Sequence, residues 1–194
     1  MHNLAGGLVL GYHGCDAAVG EELLSGAPFQ PSNNDWDWLG HGVYFWEANP
    51  KRGFDFAAEL KAARYKHAKI AEPFVVGVVL SLGLCLDTTA KAGIDIVRTA
   101  HADLLRISSV AGVALPQNDL SLLRRNLDCA VIQHVHRSRA DAGAPEADTV
   151  RGVFVEGGPI YAQSGFHEKT HIQIAIRNSD CIKGVFRVPK ALYE

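Results

Sequence analysis

The sequence predicts an α+β fold. Helix-like segments gather in the first two thirds of the 194 residues and strand-like segments at the end, so the last strands are expected to pair largely antiparallel. The length suits one good core, which makes 1–194 a single domain by expectation.

Residues 8–12, LVLGY, form a short apolar run that ends at His13-Gly14, and AAVGEELLSG follows as a short helix stopped by Gly26. The stretch 27–42 is rich in Pro, Asn, Asp and Gly yet holds Trp36 and Trp38, which predicts an ordered loop covering a site. GVYFWE (42–47) is β-rich. Asn49-Pro50 then opens a helix, with Phe54, Ala57, Leu60, Ala63 and Arg64 at helical spacing to about Lys69. FVVGVVLSLG (74–83) predicts a buried strand. Asp87, Thr88 and Thr89 offer caps for a helix over about 90–100, followed by a less regular stretch to about 127. Four strands are expected thereafter, at 129–137, 150–157, 170–176 and 182–188.

Nearly half the residues are apolar and the formal net charge is -2, which gives no bulk sign of a polyanion-binding protein or a disordered tail. Cys15, Cys85, Cys129 and Cys181 are widely spaced without a CxxC pair, and the first residues lack the pattern of a signal peptide. These features read as a reduced, cytoplasmic protein. No apolar run approaches a membrane span.

His167-Glu168-Lys169-Thr170-His171 matches the HExxH pattern of zinc hydrolases letter for letter. That chemistry needs a helix, on which the two His point the same way. Here Ile172, Ile174 and Ile176 alternate with Gln173 and Ala175, a period of two, so a strand is expected from about His171 and no metal is assigned. His134 and His136, read as alternate residues of a strand, raise the same question and are read as half-exposed strand histidines.

Three stretches remain: GYHGC, LGHGVYFWE with NPKRGFDFA behind it, and THIQIAIRNSDCIKGVF. Together they resemble the ADP-ribosyltransferase superfamily, in its diphtheria-toxin and PARP-like His-Tyr-Glu branch. The likeness extends to compact bacterial toxin-type members. It implies split antiparallel β-sheets and cleavage of the nicotinamide–ribose bond of NAD, with transfer of ADP-ribose to an acceptor. His13, Tyr44 and Gln173 fall at the three motif positions.

By that resemblance His13 hydrogen bonds the adenosine-side ribose, the Gly14 backbone holds the nicotinamide amide, Gly42 belongs to the Tyr-bearing motif, and Tyr44 stacks on the nicotinamide ring. Phe54 or Phe56 supplies the opposite wall. Gln173 stands where the family has Glu: an amide keeps the hydrogen bond and loses the charge. The replacement implies mono-ADP-ribosylation rather than chain building. Glu168 is then a candidate to orient or deprotonate an acceptor, with Glu156 and Arg151 on the same rim.

The expected activity is therefore an NAD-dependent mono-ADP-ribosyltransferase, in toxin-type members partnered by a cognate antitoxin. The alternatives are a weak or inactive NAD/ADP-ribose-binding module and an NAD glycohydrolase. The acceptor is a protein or a nucleic acid. Arg124, Arg125, Arg137, Arg139, Lys183, Arg187 and Lys190 are the candidates for a nucleic-acid surface.

Overall fold

The computed structural model describes residues 2–3, 7–63 and 70–193, and shows a mixed sheet with four helices. In chain order the elements are β1 (His2–Asn3), β2 (Leu8–Asp16), α1 (Ala17–Leu24), β3 (Val43–Glu47), α2 (Pro50–Ala62), β4 (Pro73–Ser81), β5 (Leu84–Asp87), α3 (Lys91–Ala111), α4 (Asn126–Asp141), β6 (Thr149–Phe154), β7 (His171–Ile176) and β8 (Ile182–Arg187). The strands run β1-β5-β6-β7-β3-β2-β4-β8 across one sheet. β5 and β6 are parallel and every other neighbouring pair is antiparallel.

Local chemistry explains the element starts. The Asp16 carboxylate caps α1 by accepting from Ala18 N at 3.0 Å, and its other oxygen accepts from Ala71 N at 2.6 Å, tying the helix start to the approach to β4. The Asn49 side chain accepts from Arg52 N at 3.0 Å and Pro50 follows it, so α2 begins where a proline lacks no needed N–H.

The seam between β2 and β3 positions everything that follows. β2 pairs with β4 along its whole length, whereas β2 and β3 are joined only by Gly11–Glu47 and Tyr12–Trp46. Beyond Tyr12 the two strands part, and β3 continues its ladder with β7.

On one face of the sheet, Val131, Ile132 and Val135 of α4 pack with Ala100 of α3 against Val150, Ala175 and Leu39. On the other, Val43, Phe45, Val78, Leu80, Ile174 and Ile176 form a second cluster. Full burial of a residue such as Phe45 or Ile174 contributes about 1.5–3 kcal/mol each. No helix among the described residues is long and apolar enough to cross a membrane.

Several sequence expectations need correction. Residues 129–137 form the middle of α4, not a strand. Cys129, Val131, Ile132 and Val135 are buried there, and so are His134 and His136, because α4 packs against both α3 and the sheet and is covered on more than one side. The pairing of these histidines on a strand face falls with the strand. α3 is one helix to Ala111, and its N-cap, Ala90, has no side-chain cap: Asp87 instead accepts from Thr89 N and from Arg151. α2 is described to Ala62, and the expected continuation over 64–69 lies outside the described residues.

Candidate active site

A cleft of about 500 Å³ opens where β2 and β3 separate, within the range of about 300–1,000 Å³ usual for ligand pockets. His13, Gly14, Gly42, Tyr44, Phe56 and Gln173 all line it. These residues lie on β2, β3, α2 and β7 or beside them, so only the folded chain collects them.

His13 fills the parted seam. Its Nδ1 lies 2.9 Å from the Tyr44 carbonyl, so Nδ1–H donates across the gap where a ladder bond would otherwise run. Burial depresses the imidazole pKa, outweighing the opposite effect of the Tyr44 bond, and keeps the ring neutral. In that tautomer Nε2 carries a lone pair and accepts. A ligand hydroxyl placed there would donate to His13. Phe29 meets the ring edge-on at 5.5 Å and fixes its plane.

Two glycines permit the close approaches that shape the cleft. A Cβ on Gly14 would stand 2.0 Å from the Gly53 carbonyl oxygen, so the start of α2 can lie directly on β2. A Cβ on Gly42 would meet the Ile176 carbonyl oxygen at 2.6 Å.

The Tyr44 hydroxyl donates to Gly40 O at 2.8 Å and accepts from Leu39 N at 3.0 Å. Burial, with Asp37 nearby, raises its pKa well above the usual phenol value, so it stays protonated. Its polar end is occupied by its own loop, and the ring face is what it presents to a ligand. Of the two candidate walls, Phe56 lines the cleft and packs on Trp46 at 4.9 Å between ring centroids. Phe54 turns away to Tyr193, at 4.9 Å, in a separate core cluster.

Gln173 Oε1 accepts from the Trp38 indole N–H at 2.6 Å. The 27–42 loop does cover the site: Gln30, Ser32, Asn34, Trp36, Asp37 and Trp38 form one wall. Arg125 lies over the rings of Trp38 and Phe154, at 4.9 and 4.4 Å from their centroids, and braces that wall from behind.

Trp46 and Arg52 also line the cleft without having been singled out from the sequence, and Trp38 was named there only as part of the covering loop. Trp46 sits two positions from Tyr44 on β3 and so shares its face, and Arg52 precedes Phe56 by one helical turn; both periodicities were readable. Trp38 carried only the signal of a tryptophan in a polar loop. The Arg52 side chain is 8% exposed and donates to Glu156 at 2.7 Å. Its Nε and Nη1, Trp46 Nε1 and His171 Nε2 are buried without hydrogen-bond partners among the described residues. Unmet polar groups of this kind cost about 1–3 kcal/mol each. Trp46 and Arg52 line the cleft, and their unmet groups are what a ligand or ordered water would satisfy.

The rim residues divide. Glu156 lines the cleft through its pairing with Arg52. Glu168 lies in a smaller neighbouring depression of about 160 Å³ that shares Arg52 and Glu59 with the cleft, and it accepts from Gly158 N at 3.3 Å. Arg151 alternates with Gly152 and Phe154 and faces the other side of the sheet, where its guanidinium holds Glu47 at 2.6 and 2.8 Å and Asp87 at 3.1 Å. The HEKTH segment is not helical: His167 bridges to Pro159, its ring meets Gly157 O at 3.1 Å, and His171 opens β7 with its ring on Lys169 O. The basic residues are spread over separate elements and partly engaged, as Arg187 is by Glu21 at 2.6 and 2.8 Å.

Comparison of the chain with protein-family models, with curated proteins and with solved structures finds no match.

Proposed function

We propose that this chain is an NAD-dependent mono-ADP-ribosyltransferase. The observation that carries the reading is the convergence of His13, Tyr44, Phe56 and Gln173 on one cleft at the parted β2–β3 seam. In this reading His13 Nε2 takes a hydroxyl of the adenosine-side ribose. Tyr44 and Phe56 hold the nicotinamide ring, and Gln173 contacts the nicotinamide-side ribose. The C1′–N bond breaks with its electron pair going to nicotinamide, which leaves neutral. The acceptor nucleophile then bonds to C1′ and gives up its proton to Glu156 or to water. The chain has one continuous mixed sheet rather than the expected split antiparallel sheets, and the two-pair seam between β2 and β3 is the feature of it that supports this reading.

The test is nicotinamide release from NAD by the full chain, with mass spectrometry of cell protein and RNA after brief expression. Release above that of His13→Ala, with an ADP-ribosyl adduct absent from Tyr44→Ala, is the expected result. Equal release by wild type and His13→Ala sinks the proposal, and free ADP-ribose without an adduct would make the enzyme a glycohydrolase.

A second reading, a module that binds NAD or an ADP-ribosyl group without chemistry, is favoured by one contact. Gln173 brings no charge, and its carbonyl oxygen is already engaged by Trp38. NAD-induced thermal stabilisation with no turnover, unchanged by Gln173→Ala, would select it.

A further inference from the structure

We propose that the half-open cavity between α3, α4 and Trp38 is a second ligand site, for a small monocarboxylate with an apolar body, whose occupant acts on the cleft through Trp38. The cavity holds about 350 Å³, and Trp38 lines both it and the cleft. Its walls are largely apolar: Leu39, Val97, Leu127 and Ile132 contribute aliphatic surface. A ligand here needs an apolar body.

Arg125 supplies the charge. Its side chain is 13% exposed, its Nε donates to Leu122 O at 2.8 Å, and the nearest carboxylate oxygen, of Asp128, stands 3.8 Å from Nη1. Asp128 is itself held by Asn118 Nδ2 at 3.0 Å. Neither Nη1 nor Nη2 makes a hydrogen bond among the described residues. The guanidinium is thus a largely buried cation in a long ion pair with Asp128, its terminal fork free of hydrogen bonds among the described residues, on a residue that lines the cavity. A carboxylate matches that fork in shape and charge. Burial lowers the Arg125 pKa, which agrees with incomplete compensation. His101, also lining the cavity, has no hydrogen-bond partner among the described residues and offers a further polar contact. Arg98 at the same cavity is already paired with Asp95 at 2.5 Å. Asp128 also lines the cavity and already offsets part of the Arg125 charge, so the site favours a monoanion over a phosphate dianion, which would remain undercompensated.

The coupling follows from shared parts. Arg125 lies over the Trp38 ring, and the Trp38 N–H holds Gln173. A carboxylate that draws on Arg125 and packs on the indole biases the position of Gln173. By linkage, a cleft ligand changes carboxylate affinity by the same factor. The effect on NAD rests on the proposed transferase reading; binding in the cavity does not.

Octanoate is the probe, titrated into the full chain without NAD while the indole N–H resonances of the three tryptophans are followed by NMR. Trp38→Phe identifies the Trp38 signal. Saturable movement of that signal with a rise in Tm is expected. Arg125→Gln should weaken binding about tenfold or more, in line with loss of a charge-assisted pair. Val97→Phe, which fills the cavity from α3 and leaves Arg125 in place, should abolish it. Arg125→Lys substitutes if Arg125→Gln fails to fold. An unmoved Trp38 signal, equal affinity in wild type and both variants, or inorganic phosphate binding as tightly as octanoate would each overturn the proposal. If the NAD reading alone fails, the indole response persists. If this site alone fails, nicotinamide release persists and octanoate leaves the KM for NAD unchanged.

Discussion

The indole N–H of Trp38 donates to Oε1 of Gln173 at 2.6 Å, joining residues 135 positions apart. The bond fixes the amide: Oε1 faces Trp38, and Nε2, which makes no hydrogen bond among the described residues, is left for the cleft. Gln173 therefore offers its ligand a donor. The candidate third active-site residue differs from a glutamate in charge and also in the sense of the hydrogen bond it gives.

Gln173→Glu keeps the shape, keeps an oxygen for Trp38 and adds a charge where the proposed transferase reading puts the scissile bond. A single preorganised electrostatic contact is worth about 2.7–4 kcal/mol in the transition state, so nicotinamide release should rise by about 10²-fold or more. The check is initial release rate at saturating NAD. A rate equal to or below wild type would count against the placement of the ribose at Gln173.

Trp38→Phe removes the N–H and keeps most of the ring. Stability should fall by about 0.5–1.5 kcal/mol, the usual net value of one hydrogen bond. The freed amide should raise KM for NAD more than it lowers kcat. Denaturant melts and a Michaelis series test both, and an unchanged KM would show that Trp38 does not position Gln173.

Three histidines with depressed pKa values shape the acid behaviour. Burial lowers the pKa of His13, His171 and His136; for His136, with Arg177 and Arg139 adding to the effect, it falls to about 3. The unfolded chain binds these protons near pH 6.5 and the folded chain does not, so their stabilising contribution is full above pH 6.5 and is lost as pH falls below it. Each group adds up to about 1.4 kcal/mol per pH unit of slope. His136 is neutral, so its 3.9 Å approach to Glu146 is no ion pair, and both ring nitrogens lack hydrogen-bond partners among the described residues. His136→Leu should leave stability at pH 7.5 unchanged or higher and flatten the fall between pH 6 and 4 by roughly one group's share. Urea melts across that range measure it.

Arg151 is a structural cation. Glu47 and Asp87 hold it and raise its pKa further, and replacing it leaves two largely buried carboxylates unpaired. Arg151→Met should cost about 3–5 kcal/mol. Well below its lowered Tm it should bind NAD as wild type does, since it faces away from the cleft. A stable variant with weakened NAD binding would return Arg151 to the rim.

The parts legible in the sequence share a cause. GVYFWE and HIQIAI announce strands by β-branched and aromatic alternation, and both register as strands that pair with each other, Trp46 opposite Gln173. The same alternation misread 129–137, because a helix buried on more than one side shows no polar face to betray its period.

By itself the sequence determined the mixed α+β class, the strand that carries Gln173, the strand that carries Tyr44 and the loop that covers them. These rest on local periodicity and turn chemistry, which neighbouring residues encode. Tertiary structure alone decided the rest. It chose Phe56 over Phe54, put Glu156 at the cleft and Glu168 beside it, turned Arg151 away and set Trp38 on Gln173. Each of those depends on which side of a seam a side chain meets after distant strands pair, and no local pattern records that meeting.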